Sequence, residues 1–346
     1  MLRQIKILIY LAMMGGIIFI VFVGYQFHQF QSQPVNMAVE SQVFTIKSGS
    51  SIRQVAQDLA DLELISDPIM FIALARFDGE VTTIKAGEYM IDARHTPGDL
   101  VDLFRRGDSV MHSLTIIEGW TFRQMMQAVK ANPILVKTIE DYSDTSAIMA
   151  MVSEEGEHPE GRFLPDTYLF PRGTTDISFL KRAYRTMTAA LAEEWEKRQE
   201  NLPLKTPYEA LILASIIEKE TGAAFERPLI AAAFIQRLRK GMRLQTDPTI
   251  IYGLGESFDG DIRYRDLRKD TPYNTYIHHG LTPTPIALPG VDAIKAALNP
   301  ADSDAIFFVS KGDGTHHFSK TLEEHNQAVS KYQLKGRKPK RKAEPG

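Results

Sequence analysis

Residues 211–222 read LILASIIEKETG, and the rest of the chain is organised around them. The lead-in Thr206-Pro207-Tyr208-Glu209 is a helix start. Thr206 suits the N-cap, Pro207 the first helical position, and Glu209 a capping box. Gly222 predicts a left-handed stop. Leu211, Ile212, Leu213, Ala214, Ile216 and Ile217 lie on every side of this helix, which predicts a buried one. Its last turn carries Glu218 and Glu220. The negative end of the helix dipole and a dry wall both disfavour a carboxylate there, so its proton affinity should rise. A carboxylic acid still protonated near neutral pH is a general acid. The alternative reading is a buried Glu218 paired with an arginine, Arg227 or Arg237, because structural ion pairs perturb carboxylates as well.

At 346 residues the chain is long enough for a large core and more than one domain. Its net charge is −3 and its pI near 6.3, which gives no global signature for nucleic acid. It has no cysteine, which removes disulfides, thiolate-bound zinc and thiol catalysis together. Residues 7–25, ILIYLAMMGGIIFIVFVGY, carry no charge and are long enough to cross a bilayer. Arg3 and Lys6 precede them, and no Lys or Arg follows before Lys47. The positive-inside rule then sets residues 1–6 in the cytoplasm and the remaining chain outside. The exit Gln26-Phe27-His28-Gln29-Phe30 lacks the small residues of a signal-peptidase site, which favours a retained anchor over a cleaved leader.

Residues 26–42 read as a polar tether. A strand at Val43–Lys47, a helix from Ser51 to Leu64, a helix at Pro68–Arg76 and a strand at Glu88–Ile91 follow. This βααβ order resembles a LysM module, a small glycan-binding unit, and equally suits a spacer of the same topology. With the helix begun by Thr96-Pro97-Gly98-Asp99 the module runs over residues 43–110. There is an internal echo: Phe44-Thr45-Ile46, Gly49 and Ser51-Ile52-Arg53-Gln54 align with Leu114-Thr115-Ile116, Gly119 and Thr121-Phe122-Arg123-Gln124. We read it as a strand, turn and capped helix used twice.

Residues 111–333 form a larger mixed domain, so the fold class is α+β. Thr138–Val152 has helical composition, and Glu160–Pro171 reads as a short strand or a tight lining loop. Phe179, Ala183, Met187, Leu191 and Trp195 fall four apart, one core stripe on a long helix. Pro228–Lys240 is a second apolar helix closed by Gly241. Residues 242–290 are dense in Pro, Gly, Asn and Thr and read as a long functional loop. Residues 334–346 are a basic tail, a solvated end or a contact for anionic polymers or headgroups.

Within this frame ASIIEKET (214–221), Glu226-Arg227, LQTDPT (244–249), YNTY (273–276) and GLTPTPI (280–286) occur in one order. The chain thereby resembles the YceG-like endolytic murein transglycosylases, from residue 1 to about 333. Thr282 and Thr284 stand where that family's loop carries Pro and Gly. The resemblance implies cleavage of the β-1,4 bond between N-acetylmuramic acid and N-acetylglucosamine inside nascent peptidoglycan strands. It implies 1,6-anhydro ends without hydrolysis, and it lays the family's catalytic glutamate on Glu218. It also implies an inner-membrane protein with a periplasmic catalytic domain, terminating glycan elongation beside peptidoglycan synthases.

The chemistry of the residues is compatible with this. Most hydrolytic glycosidases use two carboxylates, whereas a lytic transglycosylase can use one, because the sugar's own 6-hydroxyl is the nucleophile. Glu220 lies about 200° around the helix from Glu218 and cannot share its site. Asp247 is a possible distant partner, or simply a cap for its Asp-Pro-Thr turn. Gln245, Asn274 and Tyr276 suit N-acetyl groups and hydroxyls, and Tyr273 and Tyr276 suit sugar faces; such groups also often satisfy loop backbone. The histidines lack metal-site spacing, and no G-x-S-x-G or phosphate-loop motif occurs, so no metal or cofactor is expected. The competing reading is a non-catalytic scaffold that grips glycan and recruits synthases. It would not need Glu218 in a buried helix end.

Overall fold

A computed structural model describes residues 2–37, 39–77, 84–153 and 157–334. The basic stretch 335–342 lies outside them. The chain forms two compact units, residues 1–113 with 169–174, and residues 114–168 with 175–346. The break expected at 110/111 falls at 113/114, and a short piece of the later sequence belongs to the first unit.

The first unit opens with α1, Leu2–Ser32. Its apolar residues 7–25 are largely exposed and form one span long enough to cross a membrane. The segment read as a free tether differs from expectation. The helix continues to Ser32, Phe30 and Val35 are buried in the unit's core, and the Val35 N–H donates to the His95 carbonyl at 2.8 Å. Aromatic side chains in a polar stretch are drawn to any apolar surface within reach. β1 (Ser41–Ile46) pairs antiparallel with β2 (Gly87–Asp92), Ser41 opposite Asp92 and Ile46 opposite Gly87. Between them run α2 (Ile52–Asp61) and α3 (Pro68–Phe77), so the βααβ order is observed. α4 (Pro97–Arg106) follows, with a reciprocal Thr96–Asp99 capping box and Gly107 left-handed at φ 77°. Phe44, Leu59, Phe71, Tyr89, Ile91 and Phe104 pack the core.

The docked end of α1 alters where this protein should be truncated. Removing residues 1–25 takes only the apolar span and should leave a soluble, folded protein. Removing residues 1–36 also deletes Phe30 and Val35. It should cost about 3–6 kcal/mol in a denaturant titration, the worth of two buried apolar side chains. Equal stability of the two truncations would show that the docking is inconsequential.

The second unit begins in β3 (Met111–Thr115), which pairs with β4 (Thr167–Pro171). After β3, Gly119 turns left-handed at φ 77°, as Gly49 does at φ 82° after β1. α5 (Phe122–Ala131) then starts with a Thr121–Gln124 capping box, so the repeated unit is real. The helix expected over 138–152 is shorter: α6 spans Thr145–Val152. The reason is Asp176, fully buried, whose carboxylate accepts from the Thr138 and Ile139 amides and the Tyr142 hydroxyl and so holds 138–142 in an irregular path. Asp176 opens α7 (Asp176–Glu196). α8 (Pro207–Glu220) is the predicted central helix, capped by Thr206, with residues 210–217 all buried. Glu209 does not close the capping box; its carboxylate takes the Lys205 amide instead. Gly222 is not left-handed, because Thr221 already ends the helix in extended conformation at φ −142°.

α9 (Arg227–Arg239) packs on α8 and closes at Gly241, φ 62°. The region 242–290 is less irregular than expected, since α10 occupies Asp247–Leu254, with Pro248 in its first turn. α11 (Val291–Leu298) lies against α8, α9 and α7. β5 (Phe307–Ser310) and β6 (His316–Ser319) form an antiparallel hairpin, followed by α12 (Leu322–Tyr332). The core is therefore a jacket of helices around α8, which fixes the position of that helix's last turn.

Candidate active site

Glu218 projects from the last turn of α8 with its side chain 5% exposed. One carboxylate oxygen accepts from Arg227 Nη2 at 2.9 Å, and the other from the Gly290 N–H at 3.0 Å. Gly290 is the N-cap of α11, so the positive end of one helix meets the negative end of another across this carboxyl. Burial raises the proton affinity of Glu218, Gly290 and Arg227 lower it, and Glu118 raises it again; the net direction is upward. Both sequence readings therefore meet at one residue. Glu218 is paired with an arginine, and it is also pushed toward the protonated form. Arg237, the other named candidate, donates instead to the carbonyls of Ile306 and Leu244.

Arg227 and Gly290 are donors only, so neither can take Glu218's proton. When present, that proton points along a remaining lone-pair direction, away from both. Without that proton, the two donors hold the carboxylate that is left. Arg227 is 8% exposed and stands at the first turn of α9, a helix end that disfavours a cation. Acidic neighbours offset this: besides Glu218 it has Glu118 Oε2 at 3.2 Å and Asp292 Oδ2 at 3.9 Å.

Glu220 is held elsewhere. Its carboxyl accepts the Thr246 hydroxyl at 2.7 Å, and burial raises its proton affinity as well. Asp247 does not cap α10 with its side chain; it accepts the Tyr276 hydroxyl at 2.6 Å. Asp247 is thus grouped with Tyr276 and not with the partners of Glu218. Gln245 is exposed on a left-handed backbone at φ 51°, a conformation that costs a non-glycine residue energy and that clusters at functional sites.

Two expected substrate contacts also hold the loop together. Tyr273, half-buried, packs edge-on to Tyr252 with centroids 4.8 Å apart and bonds Thr284 Oγ1 at 2.9 Å. Asn274 is 1% exposed; its amide donates to the Lys269 carbonyl at 2.8 Å and accepts the Tyr276 N–H at 2.9 Å. Asn274→Ala should therefore lower stability by about 2–3 kcal/mol, the cost of stranding buried backbone partners. A raised KM with an unchanged denaturation midpoint would mark Asn274 as a substrate contact instead.

Thr282 and Thr284 fill the loop with buried hydroxyls. Thr282 Oγ1 donates to the Thr284 carbonyl, and Thr284 Oγ1 meets Tyr273. The loop is fastened to α8 where the Ile286 N–H donates to Ser215 Oγ at 3.0 Å. It is also fastened to the 160–163 segment, where buried Pro285 sits against Gly161.

The sequence reading passed over Glu118 and Glu160. Glu160 is 4% exposed, takes the Phe122 N–H at 2.8 Å and the Tyr252 hydroxyl at 3.1 Å, and burial pushes its pKa up to about 7. The only signal was its place at the head of the quoted 160–171 motif. Glu118 stood inside the internal echo, beside Gly119, with nothing to say that the turn folds back onto α8. Among the described residues no three of His, Asp and Glu converge as a metal site. His316 and His278 instead pair singly with Glu226 and Asp270.

The last turn of a buried apolar helix thus presents one carboxyl, Glu218, held between two donors, Arg227 Nη2 and the Gly290 N–H. The chain belongs to the YceG-like family, whose model matches residues 44–331. It is 31% identical to the endolytic murein transglycosylase of Bacillus subtilis, with 83% of each chain covered. It is 27% identical to that of Streptococcus pneumoniae serotype 2, covering 95% of this chain and 64% of the pneumococcal one. A crystal structure of a YceG-like protein from Listeria monocytogenes is similar at TM-score 0.52 and 32% identity, over 83% of this chain and 99% of that one.

Proposed function

We propose that this protein is an endolytic murein transglycosylase. It cuts the β-1,4 bond between N-acetylmuramic acid and N-acetylglucosamine inside peptidoglycan strands and leaves 1,6-anhydro ends. The observation that carries the reading is Glu218, a nearly buried carboxyl whose proton affinity is raised, yet whose anion has two donors waiting. In the first half of the reaction Glu218 gives its proton to the glycosidic oxygen, and the bond from that oxygen to the muramic C1 breaks. In the second, the 6-hydroxyl oxygen of the same sugar bonds C1 and its proton returns to Glu218. Atoms and charge balance with no external water and no cofactor. Named relatives of the same family support this assignment.

Because protonated Glu218 starts the reaction, activity should fall as pH rises through its elevated pKa. Gln245, Asp247 and Tyr276 are the polar groups we assign to substrate, since Gln245 and Asp247 are exposed beside the loop. The βααβ module of the first unit would serve as a LysM-like glycan grip. α1 would be a single-pass anchor with residues 1–6 in the cytoplasm and the catalytic unit in the periplasm, next to the synthases that make new strands. Incubating the protein lacking residues 1–25 with isolated glycan should release anhydro-ended muropeptides. Binding without cleavage would favour the scaffold reading.

A further inference from the structure

Glu118 lies on the left-handed turn between β3 and α5, and it is built into the surroundings of Glu218 at three points. Its Oε2 lies 3.2 Å from the same Arg227 nitrogen, Nη2, that holds Glu218 at 2.9 Å. Its other oxygen rests on the α-carbon of Gly290, where an added Cβ would come within 1.9 Å. Gly290 has φ −73°, a backbone any residue adopts, so the absence of a side chain there serves the carboxylate and not the turn. The turn itself is pinned: the Gly119 N–H donates to the Leu288 carbonyl at 2.9 Å, and Lys219 Nζ to the Gly119 carbonyl at 3.1 Å. Gly290 therefore gives its N–H to one carboxylate and its bare α-carbon to the other.

We propose that Glu118 is a positioning residue of the reaction that works through Arg227: it shares the guanidinium with Glu218 and so limits how tightly that cation holds the acid. The inference rests on Glu218 being the acid. An arginine bound to Glu218 alone would favour its anion and strip it of the proton it must deliver. A second carboxylate on the same nitrogen divides the cation's field and adds repulsion of its own. The other charges near the Arg227 guanidinium and the turn are Asp292 and Lys295 on α11 and Lys219 on α8. Asp292 is 68% exposed and 3.9 Å from Arg227, with Lys295 4.0 Å behind it, so solvent screens that pair. Lys219 is engaged with the turn carbonyl. Glu118, at 47% exposure against 5% for Glu218, lies at the open side of the pair.

Glu118→Gln keeps the shape and removes the charge. With Arg227 then committed to Glu218, the acid should lose its proton at lower pH. The expected result is a loss of about ten- to fiftyfold in kcat/KM near pH 7.5 but under about threefold near pH 5, with KM changed little. A purely structural role would lower activity by the same factor at every pH. Such a parallel profile, or an unchanged one, overturns the proposal. A carbon-13 titration of the Glu218 carboxyl in both proteins reads the same displacement without turnover. It decides the point even if wild type made no anhydro product, an outcome that would overturn the functional reading separately. Gly290→Ala supplies the second variant. It should impair the wild type by pushing Glu118 aside and do little more in a Glu118→Ala background; losses that simply multiply would contradict the contact.

Discussion

Glu218→Gln is expected to lower turnover of glycan by at least about a hundredfold, because an amide cannot deliver a proton. The variant should remain folded, since α8 is held by its buried residues 210–217 and not by its last turn. It carries one local penalty: an amide nitrogen must face either Arg227 Nη2 or the Gly290 N–H, both donors, where the carboxylate accepted from each. A modest drop in melting temperature with intact glycan binding would therefore fit. Glu220→Gln is the matched control. Its carboxyl is committed to Thr246, away from Arg227, so it should cost less than about tenfold in rate. Equal losses would mean that the acid is not Glu218 alone; turnover above about a hundredth of wild type in Glu218→Gln would remove it from the role.

The second large effect concerns the loop from Thr271 to Pro289. For the 6-hydroxyl to outcompete water, the sugar must be held with that group over its own C1, a positioning worth roughly 7–11 kcal/mol. Water must also be kept out. The loop is tied by Tyr276 to Asp247, by Pro285 against Gly161, and by Ile286 to Ser215. Pro285→Gly removes the side chain that seats on Gly161 and frees the backbone at once. It should lower the rate by about ten- to a hundredfold and raise the share of hydrolysed, reducing ends. Tyr276→Ala should do the same more weakly, since it cuts one exposed tie. Mass spectrometry separates the two ends by one water. A slower enzyme with an unchanged product ratio would show that the loop positions substrate but does not exclude water.

The central helix was legible because its signals are local: Thr206, Pro207 and the unbroken apolar run each act within a turn. The βααβ order and the repeated capped helix were legible for the same reason. Glu218 could be singled out, but its two competing readings could not be separated. Whether a buried carboxyl is an ion-pair partner or an acid depends on donors that arrive from Arg227, nine residues on, and from Gly290, on a different helix. Glu118 was missed because nothing in a turn glycine's neighbourhood tells which helix end the turn will meet. Asn274 and Tyr273 were read as contacts because amides and phenols serve loop backbone and sugar equally well, and the sequence does not carry the loop partners each side chain finds. The long loop reading failed at α10 because it rested on Pro, Gly, Asn and Thr density, whereas Pro248 stands in a helix's first turn, where proline is compatible with the helix.

The central claim is that Glu218 acts as acid and then base, with the sugar's own 6-hydroxyl as nucleophile. The most direct measurement is digestion of isolated glycan in water enriched in oxygen-18, followed by mass spectrometry of the new ends. The account predicts muramic ends one water lighter than reducing ends and free of the heavy isotope. Ends carrying oxygen-18 at C1 from the start would contradict it. They would make the enzyme a hydrolase with two working carboxylates, and Glu118, already on the same arginine as Glu218, would be the second.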